Sequence, residues 1–173
     1  MKMIALIRHA KSSWKDTTLP DLERPLNRRG RLNAPEMGRM LQEQPVSLKR
    51  VFSSPAVRAM ETAEWLMPSL GLSDAKLEVV TPLYTFNYED ILAWLRSLDR
   101  DADRFALICH NPAITDMVNF LTLMQIDKIP TCGIALMQVD VNHWQDLGAG
   151  MAELSYFGFP KSVSGKAISL GPG

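Results

Sequence analysis

Two apolar runs in this chain end in the same chemistry. Met3-Ile4-Ala5-Leu6-Ile7 stops at Arg8-His9-Ala10, and Phe105-Ala106-Leu107-Ile108-Cys109 stops at His110-Asn111-Pro112. A buried strand that ends in polar side chains delivers them to the carboxyl edge of a sheet, where open α/β folds bind their ligands. A third stretch, Ser53-Ser54-Pro55-Ala56-Val57-Arg58-Ala59, follows Arg50-Val51-Phe52 and sets Arg58 in the first turns of a helix at that edge. Two guanidiniums and two imidazoles in one place fit a dianionic phosphoryl group. Guanidinium forks match its oxygens bidentately, and helix N-termini add N–H donors.

The elements that must carry these residues alternate between strand and helix. The first strand is followed by a long polar loop from Lys11 to about Arg28, containing Trp14, Pro20 and Pro25, and loops of that length tend to be functional. A helix is expected from around Gly30 to Gln44, with Leu32, Met37, Met40 and Leu41 on one apolar face and Pro35 near its start or within its first turn. Further helices are expected over Ala56–Leu66, Tyr88–Leu98 and Pro112–Leu123, and further strands over Arg50–Phe52, Leu77–Val80 and Phe105–Cys109. Gly133–Val141 and Met151–Phe157 read as strands separated by a hairpin turn at Asn142–Asp146. This order predicts a three-layer α/β/α sandwich with a mainly parallel central sheet and an antiparallel addition near the C-terminus. One domain over residues 1–160 and a loosely ordered tail over 161–173 complete the expected organisation.

Composition excludes several classes. The 173 residues are 46% hydrophobic and 22% charged, ordinary for a globular protein. Its 19 basic and 19 acidic residues cancel, so no overall field draws the chain to nucleic acid or an anionic membrane. No run is long enough for a membrane span or a secretory leader, and a cytoplasmic location is expected. Cys109 and Cys132 form neither a metal-binding pair nor a disulfide framework. A metal site is not expected, since arginines beside His9 and His110 repel a divalent cation; no cofactor is implied. His143 lies in a turn with no partner motif and reads as an exposed structural residue, while Trp65 and Trp94 read as core.

The motifs Leu6-Ile7-Arg8-His9-Ala10-Lys11-Ser12, Arg24-Pro25-Leu26-Asn27-Arg28-Arg29-Gly30, Ser53-Ser54-Pro55-Ala56-Val57-Arg58-Ala59 with Thr62-Ala63, and Cys109-His110-Asn111-Pro112 occur in this order. Together they resemble the histidine phosphatase superfamily, and within it the SixA-type phosphohistidine phosphatases. The resemblance implies that His9 is the nucleophile, forming a covalent phosphohistidine that water cleaves to release inorganic phosphate. It implies that Arg8, Arg58 and His110 bind the phosphoryl oxygens and stabilise transition-state charge. Such a division of labour suits phosphoryl transfer, which needs in-line positioning and electrostatic stabilisation. A nucleophilic imidazole must be neutral, and nearby guanidiniums disfavour its protonated form. Its other ring nitrogen is expected to bond a backbone carbonyl.

Departures from the family pattern narrow the substrate. Ala10 stands where many relatives have glycine, and Lys15 where mutase-like members carry a phosphate-binding asparagine, so Lys15 receives no role. Asn111 follows His110 where acid phosphatases place a proton-donating aspartate, and Pro82-Leu83-Tyr84 occupies the region of the mutase-type glutamate. A weak general acid disfavours alkoxide leaving groups and favours a phosphoramidate, whose imidazole leaves more easily. The missing acid thus points to phosphohistidine, and the resemblance to SixA-type enzymes implies that a phosphorylated protein carries it. Asp21 and Glu23 are the remaining candidates for proton delivery. Arg24, Ser12 and Ser53 are expected to assist phosphate binding, Ser54 to cap a helix, and Trp14 to wall the pocket, whereas Arg28, Arg29 and Arg31 read as a solvated helix start. A phosphomonoesterase or mutase acting on a small phosphate ester would use the same residues. A non-catalytic phosphate-binding module is the third reading.

Overall fold

The computed structural model describes residues 1–160. Six strands form one sheet: β1 (Lys2–Arg8), β2 (Arg50–Ser53), β3 (Leu77–Val79), β4 (Arg104–Cys109), β5 (Ile134–Val139) and β6 (Ala152–Gly158), in the order β3-β2-β4-β1-β5-β6. β1, β2, β3 and β4 run parallel, whereas β5 pairs antiparallel with both β1 and β6. The three-layer sandwich and its antiparallel C-terminal addition are thus as the sequence predicts.

Strands β1 and β4 are central and covered on both faces, which is why each reads as an unbroken apolar run. Alternation divides their side chains between two cores. Ile4, Leu6, Phe105 and Leu107 pack with α3 (Tyr88–Arg96) and α4 (Ala113–Thr122). Ala5, Ile7, Ala106 and Ile108 pack on the other face with α1 (Arg28–Gln42) and α2 (Val57–Leu66). Parallel pairing of β1 with β4 sets Arg8 opposite Cys109, so His9 and His110 leave the sheet side by side.

Several local expectations are corrected. Helix α1 starts at Arg28 because the Asn27 side chain accepts from the Gly30 N–H at 2.9 Å, capping the first turn. Pro35 therefore lies inside the helix, tolerated because Asn33, Ala34, Met37, Gly38 and Leu41 are buried along one stripe. Leu32 falls outside that stripe and is 64% exposed. The segment 140–151 is no tight hairpin turn: Trp144 is buried within it and donates its indole N–H to the Ala102 carbonyl. Trp65 is exposed, whereas Trp94 is half-buried edge-on to Phe52. The tail expected over 161–173 lies outside the described residues.

Gly30 positions the loop that carries the first motif. A Cβ at residue 30 would stand 2.3 Å from the Lys11 carbonyl oxygen, so the constraint is close approach of two backbones. Gly30→Ala is expected to cost about 2 kcal/mol, read as a lowered urea midpoint. An unchanged midpoint would show that the loop yields freely. Among the described residues no helix is long and apolar enough to cross a membrane.

Candidate active site

The carboxyl ends of β1, β2 and β4 meet a cavity of about 240 Å³ lined by Arg8, His9, Arg24, Arg58 and His110, among others. The backbone fixes the first histidine from both sides. The His9 N–H donates to the Cys109 carbonyl, and the His9 carbonyl accepts from the Cys132 N–H. The Ala10 N–H donates to Thr62 Oγ, whose hydroxyl donates back along α2 to the Arg58 carbonyl at 2.6 Å. Thr62 thereby couples the end of β1 to the turn of α2 that presents Arg58.

Hydrogen bonds assign the tautomers. His9 Nδ1 lies 2.8 Å from the Ala10 carbonyl, which can only accept, so the proton sits on Nδ1 and the lone pair on Nε2. This is the backbone contact expected from the sequence. Arg58 Nε donates to that lone pair at 3.3 Å, and Arg58 Nη2 lies 3.3 Å from His110 Nδ1. His110 therefore carries its proton on Nε2, donating to Ser54 Oγ at 2.7 Å. The two imidazole centroids are 5.2 Å apart.

Burial keeps both rings neutral. It is the largest influence on His9, whose pKa falls to about 4; the Ala10 carbonyl opposes the shift, and Arg58, Arg8 and Arg24 add to it. His110 falls to about 3, again through burial first, then repulsion from His9 and Arg58. The guanidiniums emphasised by the sequence argument are thus the secondary cause. Because the folded pKa values lie below the ordinary 6.5, the unfolded chain takes up protons first as pH falls. The stability these rings contribute is full above about pH 6.5 and is lost as pH drops through about 4 and then 3. Urea midpoints should fall between pH 7.5 and pH 5 by the equivalent of on the order of 2 kcal/mol per histidine, and the ring NMR signals should remain those of neutral imidazole over that range. Rings that titrate near 6.5 would contradict the burial argument.

A carboxylate occupies the guanidinium clamp. Asp21 Oδ2 accepts from Arg58 Nη2 at 2.9 Å and from the Tyr84 hydroxyl at 2.6 Å, while Asp21 Oδ1 accepts from Arg24 at 3.2 Å and 3.3 Å. Burial raises the Asp21 pKa, but the Tyr84 hydroxyl and the two guanidiniums outweigh it and bring the group down to about 2. In this state Asp21 is therefore the ionised counterion of the two guanidiniums. Glu23 is exposed and does not line the cavity.

Arg24 is buried as well, donating to Ser12 Oγ at 2.7 Å and lying 3.7 Å from the Trp14 ring centroid. Trp14 and Ser12 both line the cavity, as expected. At the end of β2, Ser53 is buried and donates to the Ser54 carbonyl at 2.9 Å, while Ser54 Oγ accepts from the Ala56 N–H at 3.2 Å and is the serine that touches His110. Arg8 donates to the Ile129 carbonyl at 3.0 Å, and its buried Nε has no hydrogen-bond partner among the described residues. His143 is exposed. Sequence reasoning missed Tyr84 and Phe86, whose rings lie 5.5 Å and 5.8 Å from that of His110. Among the described residues no group of three or more His, Cys, Asp or Glu could hold a metal ion.

A fold that collects paired arginines and histidines at the carboxyl edge of its sheet defines a class, and the sequence profile of the histidine phosphatase superfamily (branch 1) matches residues 4–90. The chain belongs to that superfamily. It is similar to a protein histidine phosphatase SixA solved with tungstate, at a TM-score of 0.76 and 24% identity over 93% of this chain and 99% of that one. A second SixA-type structure, a phosphohistidine phosphatase candidate from Agrobacterium tumefaciens, gives a TM-score of 0.75 at 19% identity over 92% of this chain and 98% of that one. At these identities the likeness establishes the fold. Curated relatives include an uncharacterized chloroplastic protein of Arabidopsis thaliana, 28% identical over 84% of this chain and 70% of its own, and an uncharacterized protein of Mycobacterium leprae, 28% identical over 90% of this chain and all of its own.

Proposed function

We propose that this protein is a phosphatase that takes a phosphoryl group onto His9 and releases it as inorganic phosphate, with protein phosphohistidine as its substrate. The observation that carries the reading is the Nδ1–H of His9 bonded to the Ala10 carbonyl, which leaves Nε2 with a lone pair beside Arg58. In the first step Nε2 forms a bond to phosphorus as the substrate P–N bond breaks. The bonding pair stays on the substrate nitrogen, which takes up a proton from solvent. Phosphorylated His9 still holds its Nδ1 proton and is therefore cationic. The Ala10 carbonyl stabilises that cation, and a cationic ring is a good leaving group when water attacks phosphorus. Arg58, Arg8 and Arg24 supply donors for the oxygens, with the orphaned Arg8 Nε favouring an anion, while neutral His110 accepts from Arg58 and holds that guanidinium in place.

The acid side of the site supports a P–N substrate over an ester. Asn111 is an amide whose oxygen accepts from Thr115 and whose nitrogen donates to the Ile129 carbonyl, so no proton donor follows His110. Asp21 is held ionised until a dianion takes over its Arg58 donors. Losing those contacts raises its pKa, and only then could it carry a proton to the leaving nitrogen. The reading is tested by comparing kcat/KM on a phosphorylated histidine-carrier protein and free phosphohistidine with that on sugar phosphates. Higher values on the P–N compounds are expected. A strong preference for the esters would overturn the substrate assignment.

A further inference from the structure

Among the described residues, Phe86 is the one large apolar side chain besides Trp14 that lines the cavity with His9 and stays open to solvent, at 53% exposed. Its exposure does not come from a loose segment. Thr85 Oγ accepts from the Asn87 N–H at 3.0 Å and donates to Asp90 at 2.6 Å, while Asn87 caps the Glu89 N–H of α3. The backbone on both sides of Phe86 is therefore tied down. The ring sits 5.8 Å from His110 and 6.1 Å from Tyr84, leaving part of its surface without a protein neighbour. Trp14 is differently engaged, since Arg24 already stacks on it. The cavity is larger than a phosphoryl group requires, so the atoms that leave must lie within it or at its mouth.

We propose that Phe86 is a leaving-group platform, a flat apolar surface on which the imidazole of an N-phosphorylated histidine packs while its phosphoryl group lies among the arginines. This rests on the phosphohistidine reading above and adds a specificity-determining residue to it. An aromatic ring offers a flat apolar face on which a planar heterocycle stacks.

The test uses two substrates with the same scissile P–N bond, phosphohistidine, which has the ring, and phosphoramidate, which has none. Phe86→Ala is expected to lower kcat/KM on phosphohistidine roughly 10-fold, mainly through KM, while phosphoramidate changes less than about 2-fold. Phe86→Tyr keeps the flat face and should restore phosphohistidine turnover. Equal losses on both substrates would show that Phe86 only supports His110, which overturns the platform and leaves the phosphatase reading standing. No loss on either substrate overturns it too. A wild-type enzyme that turns over esters but not phosphohistidine would instead remove the substrate assignment on which the platform depends.

Discussion

His9→Ala should abolish turnover, with a fall in kcat of at least about 10³-fold, and should leave no phosphoryl label on the chain after rapid quenching. The wild-type protein should yield a label that is stable to base and lost in acid, as a P–N bond requires. The size of the effect follows from what the ring alone supplies. Its Nε2 is the one unprotonated nitrogen of His9, buried and held neutral below pH 7, so the proposed attack requires no prior deprotonation. Alanine removes the proposed nucleophile and leaves the arginines in place. Binding of inorganic phosphate should survive while catalysis does not. A label of wild-type intensity in the variant would move the nucleophile elsewhere, His110 first.

Arg58 gives the second large effect. This side chain is 2% exposed and reaches His9 Nε2, His110 Nδ1 and Asp21 at once. Arg58→Ala removes all three contacts and is expected to lower kcat about 10³-fold, the scale of losing a preorganised donor set aimed at developing charge. Arg58→Lys separates charge from geometry. An ammonium keeps the positive charge but cannot span two imidazoles and a carboxylate as a planar fork does, so a loss of about 10²-fold is expected to remain. Lysine within a few-fold of wild type would mean that net charge is enough. Thermal melts on both variants guard against a folding explanation.

The parts of the site carried by strand ends were legible because a buried strand announces itself as an apolar run, and the residue after it has only one place to go. β1 and β4 fixed His9 and His110 in that way. Ser53 and Ser54 were not separable, because neighbours at a strand terminus differ only in which way the pleat points them. In α2 the buried stripe is Arg58, Ala59, Thr62, Ala63 and Leu66, a spacing that already excludes Trp65. There the large apolar residue type misled where the helical period was right. Trp144 failed in the opposite sense, since its polar neighbours concealed an indole whose N–H reaches Ala102 across 42 positions of sequence. Phe86 and Tyr84 follow β3 with no periodic signal, and only the folded chain brings them against His110.

Asp21 gives the clamp a tenant of its own. Under the proposed chemistry an entering dianion finds the Arg58 and Arg24 donors engaged and displaces a carboxylate from them. The same carboxylate is ready to return when inorganic phosphate is ready to leave. Such internal rivalry loosens substrate and spent product alike, and it guards the arginines against idle occupation by passing anions. Shallow ground-state binding of this kind favours rapid clearance between cycles.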